Sequence, residues 1–333
     1  MSVLVTGGLG YIGSHCVIEL LECHFDVIVI DNLSNSKLDV ISKIQNITGK
    51  KIKFYQIDLL DLSQIDKIFQ KNQIGFVVHL AALKSVNQSI DAPLYYYSHN
   101  LTVTLNLLSV MSKYNVKKLI YSSSATVYGS EKSPVDEKME TGKNLTNPYA
   151  KTKYMTEEIL KDLYKSDNNW SIVILRYFNP SGAHQSGLIG ENPNDIPNNL
   201  MPYLLKVADG IFPVLKIYGS DYDTTDGTCV RDFIHIVDLA KGHIATIKCL
   251  NETGIYIYNL GTGKDHTVKE IVETFKKINN IKLPYVYTDR RPGDIEISYA
   301  SVSKAKQDLN WTCEHNIADI CRDSWYAYQC SKN

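Results

Sequence analysis

The sequence predicts an α/β protein, a doubly wound parallel sheet carrying a smaller, mostly C-terminal α/β lobe. Three features point that way. Short apolar runs alternate with amphipathic stretches through the first half, a glycine-rich turn follows the first run directly, and the texture changes after Pro180. Near-continuous apolar strands separated by helices belong to a parallel sheet covered on both faces. Sheets of this kind bind ligands beyond the carboxyl ends of their strands.

In chain order the candidate strands are Val3–Thr6, Val27–Ile30, Ile52–Ile57, Phe76–Leu80, Lys118–Ser122 and Ile172–Arg176. Amphipathic segments between them include Ser14–Glu22, Ser63–Gln70 and Leu94–Tyr114. Residues 180–232 are rich in Gly, Asn, Asp and Pro and read as an irregular lobe beside the sheet. Asp232–Leu239 reads as a strand entering a helix that runs to about Cys249, and Tyr256–Leu260 as another short strand. Val268–Ile278 has helical periodicity, and the tail after Asp308 has room for one more helix. The expected division is residues 1–180 as a dinucleotide-binding domain, with a returning segment near 232–260, and residues 181–333 as a substrate lobe.

Composition narrows the function. The 333 residues are 44% hydrophobic with a formal net charge of -1, so the basic footprint of a nucleic-acid or anionic-membrane partner is missing. No apolar run approaches ~18 residues, which argues against a membrane span. Seven scattered cysteines show no CxxC spacing and no neighbouring His cluster, so neither a disulfide framework nor a metal site is expected. Reduced thiols and an N-terminus that enters Val3-Leu4-Val5 at once suit a cytoplasmic protein without a signal peptide.

Gly7-Gly8-Leu9-Gly10-Tyr11-Ile12-Gly13 follows the first strand and opens a helix. Glycines there allow a tight turn and close approach of backbone to a pyrophosphate, and the helix N-terminus offers free N–H groups to phosphate. A lone glycine turn is weak, but its position between strand and helix makes it a Rossmann-type dinucleotide signal. Asp31 ends the second strand about twenty residues on, where an acid meets the adenosine ribose hydroxyls. The absence of an Arg directly after it favours NAD over NADP, with Lys37 keeping NADP open. Asp58, ending the third strand, is placed to meet adenine, or is a plain turn residue.

Asn147-Pro148-Tyr149-Ala150-Lys151-Thr152-Lys153 reads as a capped helix start, with Asn147 as cap and Pro148 at the first position. Tyr149 and Lys153 then share a face, separated by ~6 Å of rise. Ser124 closes the fifth strand at the carboxyl edge of the sheet. A tyrosine is a poor base at its ordinary pKa of about 10. A cation ~6 Å away at an effective dielectric near ~20 is worth roughly 3 kcal/mol, or about two pKa units. Lys153 and an oxidised nicotinamide together would bring Tyr149 towards neutrality, less what desolvation takes back. An ordinary exposed helix face has the same Tyr-x-x-x-Lys spacing; the glycine turn and Ser124 tip the balance to a catalytic reading.

The opening TGGLGYIGSH, Asp31-Asn32-Leu33, Ser122–Gly129, Asn147–Lys153, Leu175–Pro180, Ile196–Tyr203, Gly227–His235 and Tyr258–Gly263 together resemble the UDP-glucose 4-epimerases of the extended short-chain dehydrogenase/reductase superfamily. The resemblance runs collinearly from Val3 to about Trp311. It implies an isomerase of galactose metabolism that interconverts UDP-glucose and UDP-galactose through a 4-keto intermediate, with tightly bound NAD. Tyr149 would be the base at O4, Lys153 would hold the nicotinamide ribose, and Ser124 would bond O4 and relay the proton. Cofactor contacts would come from Gly7, Gly10, Tyr11, Ile12, Gly13, Asp31, Asn32, Asn35, Ser36, Asp58, Leu59, Leu80, Ala81, Ala82, Lys84, His99 and Phe178, besides the catalytic three. His99 departs from the family, which commonly carries Asn there. Contacts to the UDP-sugar would come from Ala125, Thr126, Asn179, Asn199, Leu200, Lys216, Ile217, Tyr218, Arg231, Arg291 and Asp294, besides Ser124 and Tyr149. The family places a gate beside the sugar's C2 substituent four residues after that Asp. Here it is Ser298, small enough to admit UDP-N-acetylglucosamine and UDP-N-acetylgalactosamine, unless a one-residue shift puts Tyr299 in the gate. A homodimer is implied as well, paired through the helices Leu94–Tyr114 and Tyr149–Tyr164.

Two rivals remain on the residues alone. A nucleotide-sugar 4,6-dehydratase needs an ionisable acid and base directly after Ser124, where this chain has Ala125-Thr126. A non-catalytic NAD-sensing protein would share the fold, but gives no reason for Ser124, Tyr149 and Lys153 to stand together.

Overall fold

The computed structural model describes residues 1–193, 197, 199–291 and 293–332. Ile196 and Asn198, parts of the Ile196–Tyr203 motif, lie outside the described residues. The chain divides into two compact units, the first made of Met1–Gly129, Glu140–Arg176 and Ala240–Tyr258, the second of Ser130–Met139, Tyr177–Leu239 and Asn259–Asn333.

The chain opens as a strict alternation: β1 (Ser2–Thr6), α1 (Tyr11–Glu22), β2 (Val27–Asp31), α2 (Val40–Thr48), β3 (Lys53–Gln56), α3 (Leu62–Lys71) and β4 (Ile74–His79). Two consecutive helices, α4 (Val86–Asp91) and α5 (Pro93–Lys113), lead to β5 (Lys118–Ser124), and α6 (Pro148–Ser166) leads to β6 (Ser171–Tyr177). Then come β7 (Asn179–Ser181), α7 (Leu200–Ala208), β8 (Leu215–Tyr218), β9 (Val230–Arg231), β10 (Phe233–His235), α8 (Ile236–Thr246) and β11 (Gly254–Leu260). The chain finishes with β12 (His266–Thr267), α9 (Val268–Asn279), β13 (Tyr285–Thr288), β14 (Ile297–Ser298), α10 (Ser303–Leu309) and α11 (Ile317–Cys330).

In the first unit seven strands form one sheet in the order β11-β6-β5-β4-β1-β2-β3. The pairs β3–β2, β2–β1, β1–β4 and β4–β5 run parallel. Strand order therefore reverses between β1 and β4, the switch point at which such sheets bind ligands. The apolar runs are buried as their composition demands: every residue of β2 and of β6 is buried. One face packs Leu4, Ile28, Val77, Leu119 and Ile172 against Val103, Leu107 and Met111 of α5 and Leu160 of α6. Among the described residues no helix is long and apolar enough to cross a membrane.

The second unit carries smaller sheets: β10-β7, β12-β9-β14 and β13-β8. Its core gathers Leu204 and Leu205 of α7, Leu215 and Ile217 of β8, Phe275 of α9 and Ile320 of α11. Its strands have two to four residues. That is too short for the alternation by which a strand shows itself in sequence, so the β8–β13 and β9–β14 pairs had no signal there.

Candidate active site

The glycine turn sits at the switch point because only glycine fits it. Gly7 has φ +67, and a Cβ on it would press on the Ala81 backbone at 3.0 Å; a Cβ on Gly13 would overlap the Gly7 carbonyl oxygen at 2.1 Å. The turn is closed by Gly10 N–H donating to Gly7 O (3.1 Å), and α1 starts at Tyr11 without a side chain capping its first N–H groups. Asp31 braces this turn. One carboxylate oxygen accepts from Leu9 N–H (3.0 Å), the other from Leu33 N–H (2.9 Å) and Ser36 Oγ (2.8 Å). Asn32 Nδ2 donates to Asp58 (3.0 Å), joining the ends of β2 and β3, while Asn35 is exposed. Leu59 is a core residue, so only its backbone is free for a ligand. Lys84 lies 5.9 Å from the Tyr11 ring centroid.

A buried polar chain ties the turn to the next loop. Leu80 N–H donates to Thr6 Oγ1, which donates to His79 Nδ1 (2.7 Å). His79 Nε2 meets Thr104 Oγ1 at 3.0 Å, and Thr104 donates to the Asn100 carbonyl. Burial pushes the imidazole down to about 3, so it is neutral with the proton on Nε2. Asn100 grips Leu83 by both backbone groups (2.8 and 3.0 Å) and donates to Thr152 Oγ1 (3.2 Å), fixing the 80–84 loop to α5 and α6. His99 is half-buried beside it, 3.4 Å from Asn100 Oδ1 and close to the Tyr95 ring. The sequence reading missed Asn100 and His79 as organisers, because their partners lie up to 73 residues away.

The catalytic candidates come together. Asn147 Oδ1 caps α6 by accepting from Ala150 N–H (2.8 Å), with Pro148 in its first turn. The Tyr149 hydroxyl interacts with the Ser124 hydroxyl, which draws its pKa down. Ser124 caps the single 3₁₀ turn after β5 and accepts from Thr126 N–H (3.3 Å) and Thr126 Oγ1 (3.0 Å). Lys153, one turn along α6, is buried, donates to Ser122 O (2.6 Å), and stands 5.9 Å from the Tyr149 ring. Part of the Tyr149 side chain still meets solvent, yet burial pushes its hydroxyl up to about 12, with the Ser124 bond pulling the other way. Burial also pushes the Lys153 ammonium down to about 7, and nearby Glu157 holds it up in part.

In the second unit Arg231 Nη2 lies 3.7 Å from Asp294, and the Arg291 guanidinium stacks 4.2 Å from the Tyr218 ring centroid. Asn199 precedes α7 without a side-chain capping bond and donates instead to Glu191 (3.2 Å), with Leu200 opening the helix. Lys216 is exposed on β8, whereas Ile217 is core and offers no side chain to a ligand. Asn179 is exposed on β7, paired with Phe233, and Phe178 just before it is buried. Ser298 pairs with Arg231 in the β14–β9 ladder, and Asp232 N–H donates to its carbonyl (3.1 Å). Tyr299 is tied instead to Ser133 Oγ (3.1 Å) and Val135 N–H (3.1 Å) through its backbone.

Residues 3–261 match the model of the NAD dependent epimerase/dehydratase family. The chain belongs to that family. Relatives of this epimerase/dehydratase include a UDP-glucose 4-epimerase of Bacillus subtilis, 51% identical over 98% of this chain and 96% of the relative. A UDP-glucose 4-epimerase of Drosophila melanogaster is 52% identical over 97% and 95%. The crystal structure of UDP-glucose 4-epimerase from Bifidobacterium longum in complex with NAD+ and UDP superposes with a TM-score of 0.97 at 47% identity, covering 100% of this chain and 99% of that one.

NAD fits the first unit of the epimerase/dehydratase. The cradle that a Cβ at Gly7 or Gly13 would fill is backbone-lined, as close approach of a pyrophosphate requires. Asp31 keeps an acceptor lone pair beyond its three donors, on the oxygen that meets only Leu9, where a ribose hydroxyl can donate. Among the protein's own groups the desolvation expected to oppose Lys153 and an oxidised nicotinamide is large: burial raises the Tyr149 hydroxyl to about 12.

Proposed function

We propose that the chain is an NAD-dependent UDP-glucose 4-epimerase that interconverts UDP-glucose and UDP-galactose. The observation that carries the reading is that Ser124, at the end of β5, interacts with Tyr149, while Lys153, one helical turn along α6, is bonded to the same strand end. The Gly7–Gly13 turn, Asp31 and Lys153 would hold NAD, which would supply a reversible acceptor for the C4 hydride and a positive charge. Tyr149 takes the O4 proton, and Ser124 shares it as donor or acceptor. Lys153 orients a ribose through its ammonium, and Tyr149 is the group that exchanges the O4 proton. Burial, with Tyr96 nearby, raises the phenol to about 12, so the positive charge that bound NAD would bring is what arms the base. Arg231 and Arg291, as planar forks of donors, suit the diphosphate, which stays anchored while the 4-keto sugar turns over. Asn179, Asn199, Leu200, Lys216, Tyr218 and Asp294 would complete the nucleotide site; Ile217 contributes only backbone.

Elimination of water at C5 and C6 would need an ionisable pair after Ser124. Ala125 has none, and the Thr126 hydroxyl is spent on Ser124, which supports a reaction that stops at C4. Ser298 is the gate for the C2 substituent: it shares a ladder rung with Arg231, while Tyr299 is drawn away to Ser133 and Val135. The enzyme therefore also takes the N-acetylated pair. It works as a homodimer through α5 and α6, on which Leu94, Tyr95, Leu105 and Met155 are exposed; sedimentation as a monomer at micromolar concentration would end that proposal.

The test assays purified protein with UDP-galactose and with UDP-N-acetylgalactosamine, for the wild type and for Ser298→Tyr. Both substrates should react with the wild type, and only the first with the variant, because a ring clash excludes what a lost methylene merely weakens. No conversion of UDP-galactose by NAD-loaded protein refutes the activity. Equal handling of the N-acetylated sugar by both proteins refutes the gate.

A further inference from the structure

The mechanism leaves one buried network unused. Glu157 lies two turns along α6 from Tyr149, on the face that also carries Lys153, and is completely buried. Its carboxylate accepts from Arg176 Nε (3.1 Å) and Nη2 (2.7 Å) and from Ser123 Oγ (2.5 Å). Arg176, on β6 and 2% exposed, also donates from Nη1 to the Tyr128 hydroxyl (2.9 Å) and covers that ring at 4.8 Å. Three consecutive serines at the end of β5 thus engage three residues of α6 one turn apart: Ser122 takes Lys153, Ser123 gives to Glu157, and Ser124 meets Tyr149.

We propose that the Glu157–Arg176 pair is a positioning device for the catalytic serine and tyrosine, clamping the chain directly before Ser124 through Ser123 and the turn directly after it through Tyr128. The inference rests on the catalytic reading of Ser124 and Tyr149. Its physical basis is that an ion pair without solvent is a costly way to add stability but a stiff, directional one, since its bidentate fork allows a single relative placement of α6, β5 and β6. Apolar residues would fill the same volume more cheaply and leave the register between Ser124 and Tyr149 free to slide. The pair also acts on charge. Lys153 is faced by Tyr149 and Glu157 from its own helix, by Tyr121 from β5 and by His79 from β4. Tyr96 of α5 faces Tyr149, and Arg176 faces Glu157. Of these, Glu157 is the group that favours a protonated Lys153.

The test uses the NAD-loaded full chain. Wild-type conversion of UDP-galactose is measured first, so that failure of the proposed activity shows by itself. Glu157→Gln keeps the shape and removes the charge. Its turnover should fall roughly ten- to a hundredfold, the scale of a small misplacement of catalytic groups, with KM and bound NAD little changed. A readout independent of turnover is the pH at which Lys153 loses its proton, followed by NMR on labelled lysine with the signal assigned through Lys153→Met. That pH should move down in Glu157→Gln. Ser123→Ala and Tyr128→Phe each cut one arm of the clamp and spare the ion pair, so they keep the proposal testable if Glu157→Gln fails to fold. Each should lose turnover by about three- to tenfold, as for one hydrogen bond. Wild-type turnover in both of these variants overturns the proposal. So does a folded Glu157→Gln that is merely less stable, with turnover and Lys153 titration unchanged.

Discussion

The two units hold their candidate residues in different ways. In the first, Tyr149 and Lys153 stand on a helix of 19 residues and Ser124 ends a largely buried strand of seven, with Lys153 bonding the helix to that strand. In the second, Arg231 and Ser298 sit on strands of two residues, and Arg291 and Asp294 on a loop. There, rigidity comes from one buried carboxylate. Asp232 accepts from Thr262 N–H (2.8 Å) and Oγ1 (2.7 Å), Gly263 N–H (2.9 Å) and Ala300 N–H (3.2 Å), so it ties two other segments to the residue that follows Arg231. The lesson is that chemistry needing fixed angles is built on regular elements, whereas recognition of a long flexible ligand is built on loops pinned by a polar hub.

The contrast predicts where mutations act. The largest effect belongs to the first unit: Tyr149→Phe should lose about 10²- to 10⁴-fold in turnover while retaining fold and NAD, the range for a general base. Near-normal turnover in an NAD-loaded variant would break the contrast at its root. Next comes the second unit. Arg291→Ala should cost roughly tenfold to a hundredfold, the value of a charge-assisted bond, and mainly in KM for the sugar nucleotide, since binding a diphosphate stabilises ground and transition states alike. A loss confined to kcat would mean that Arg291 serves the chemistry instead.

Smaller effects concern stability. Asp232→Asn turns one acceptor into a donor facing backbone N–H groups, which should cost about 2–3 kcal/mol in urea unfolding. An unchanged midpoint would show that the hub is not what pins the loops. Lys153→Met should do the opposite. The folded lysine, lowered from 10.5 to about 7, binds fewer protons than the unfolded one between those values, so wild-type stability rises with pH through that window. Below pH 7 the buried charge is carried at full cost, and the methionine variant should be more stable there by about 1–2 kcal/mol. That gain should shrink as pH approaches 10, and a gain independent of pH would point to packing rather than charge.

The sequence alone determined the repeated strand–helix order, the glycine turn, Asp31 and the Tyr149/Lys153 spacing, because each rests on local rules: strand period, helix period, and the conformations open to glycine and to a capping Asn. The expected strands of the first half appear within a few residues of their predicted ends, and motif spacing singled out Ser124 as well. Only the tertiary structure decided which charges are buried and what they face. Nothing near Glu157 in the sequence marks Arg176, 19 residues on, as its partner, and nothing near Asp232 marks Thr262 or Ala300. The same limit explains the tyrosine. Its spacing from Lys153 follows from helix geometry, but desolvation depends on all the atoms that surround it, and here that pushes the phenol up to about 12 and the lysine down to about 7.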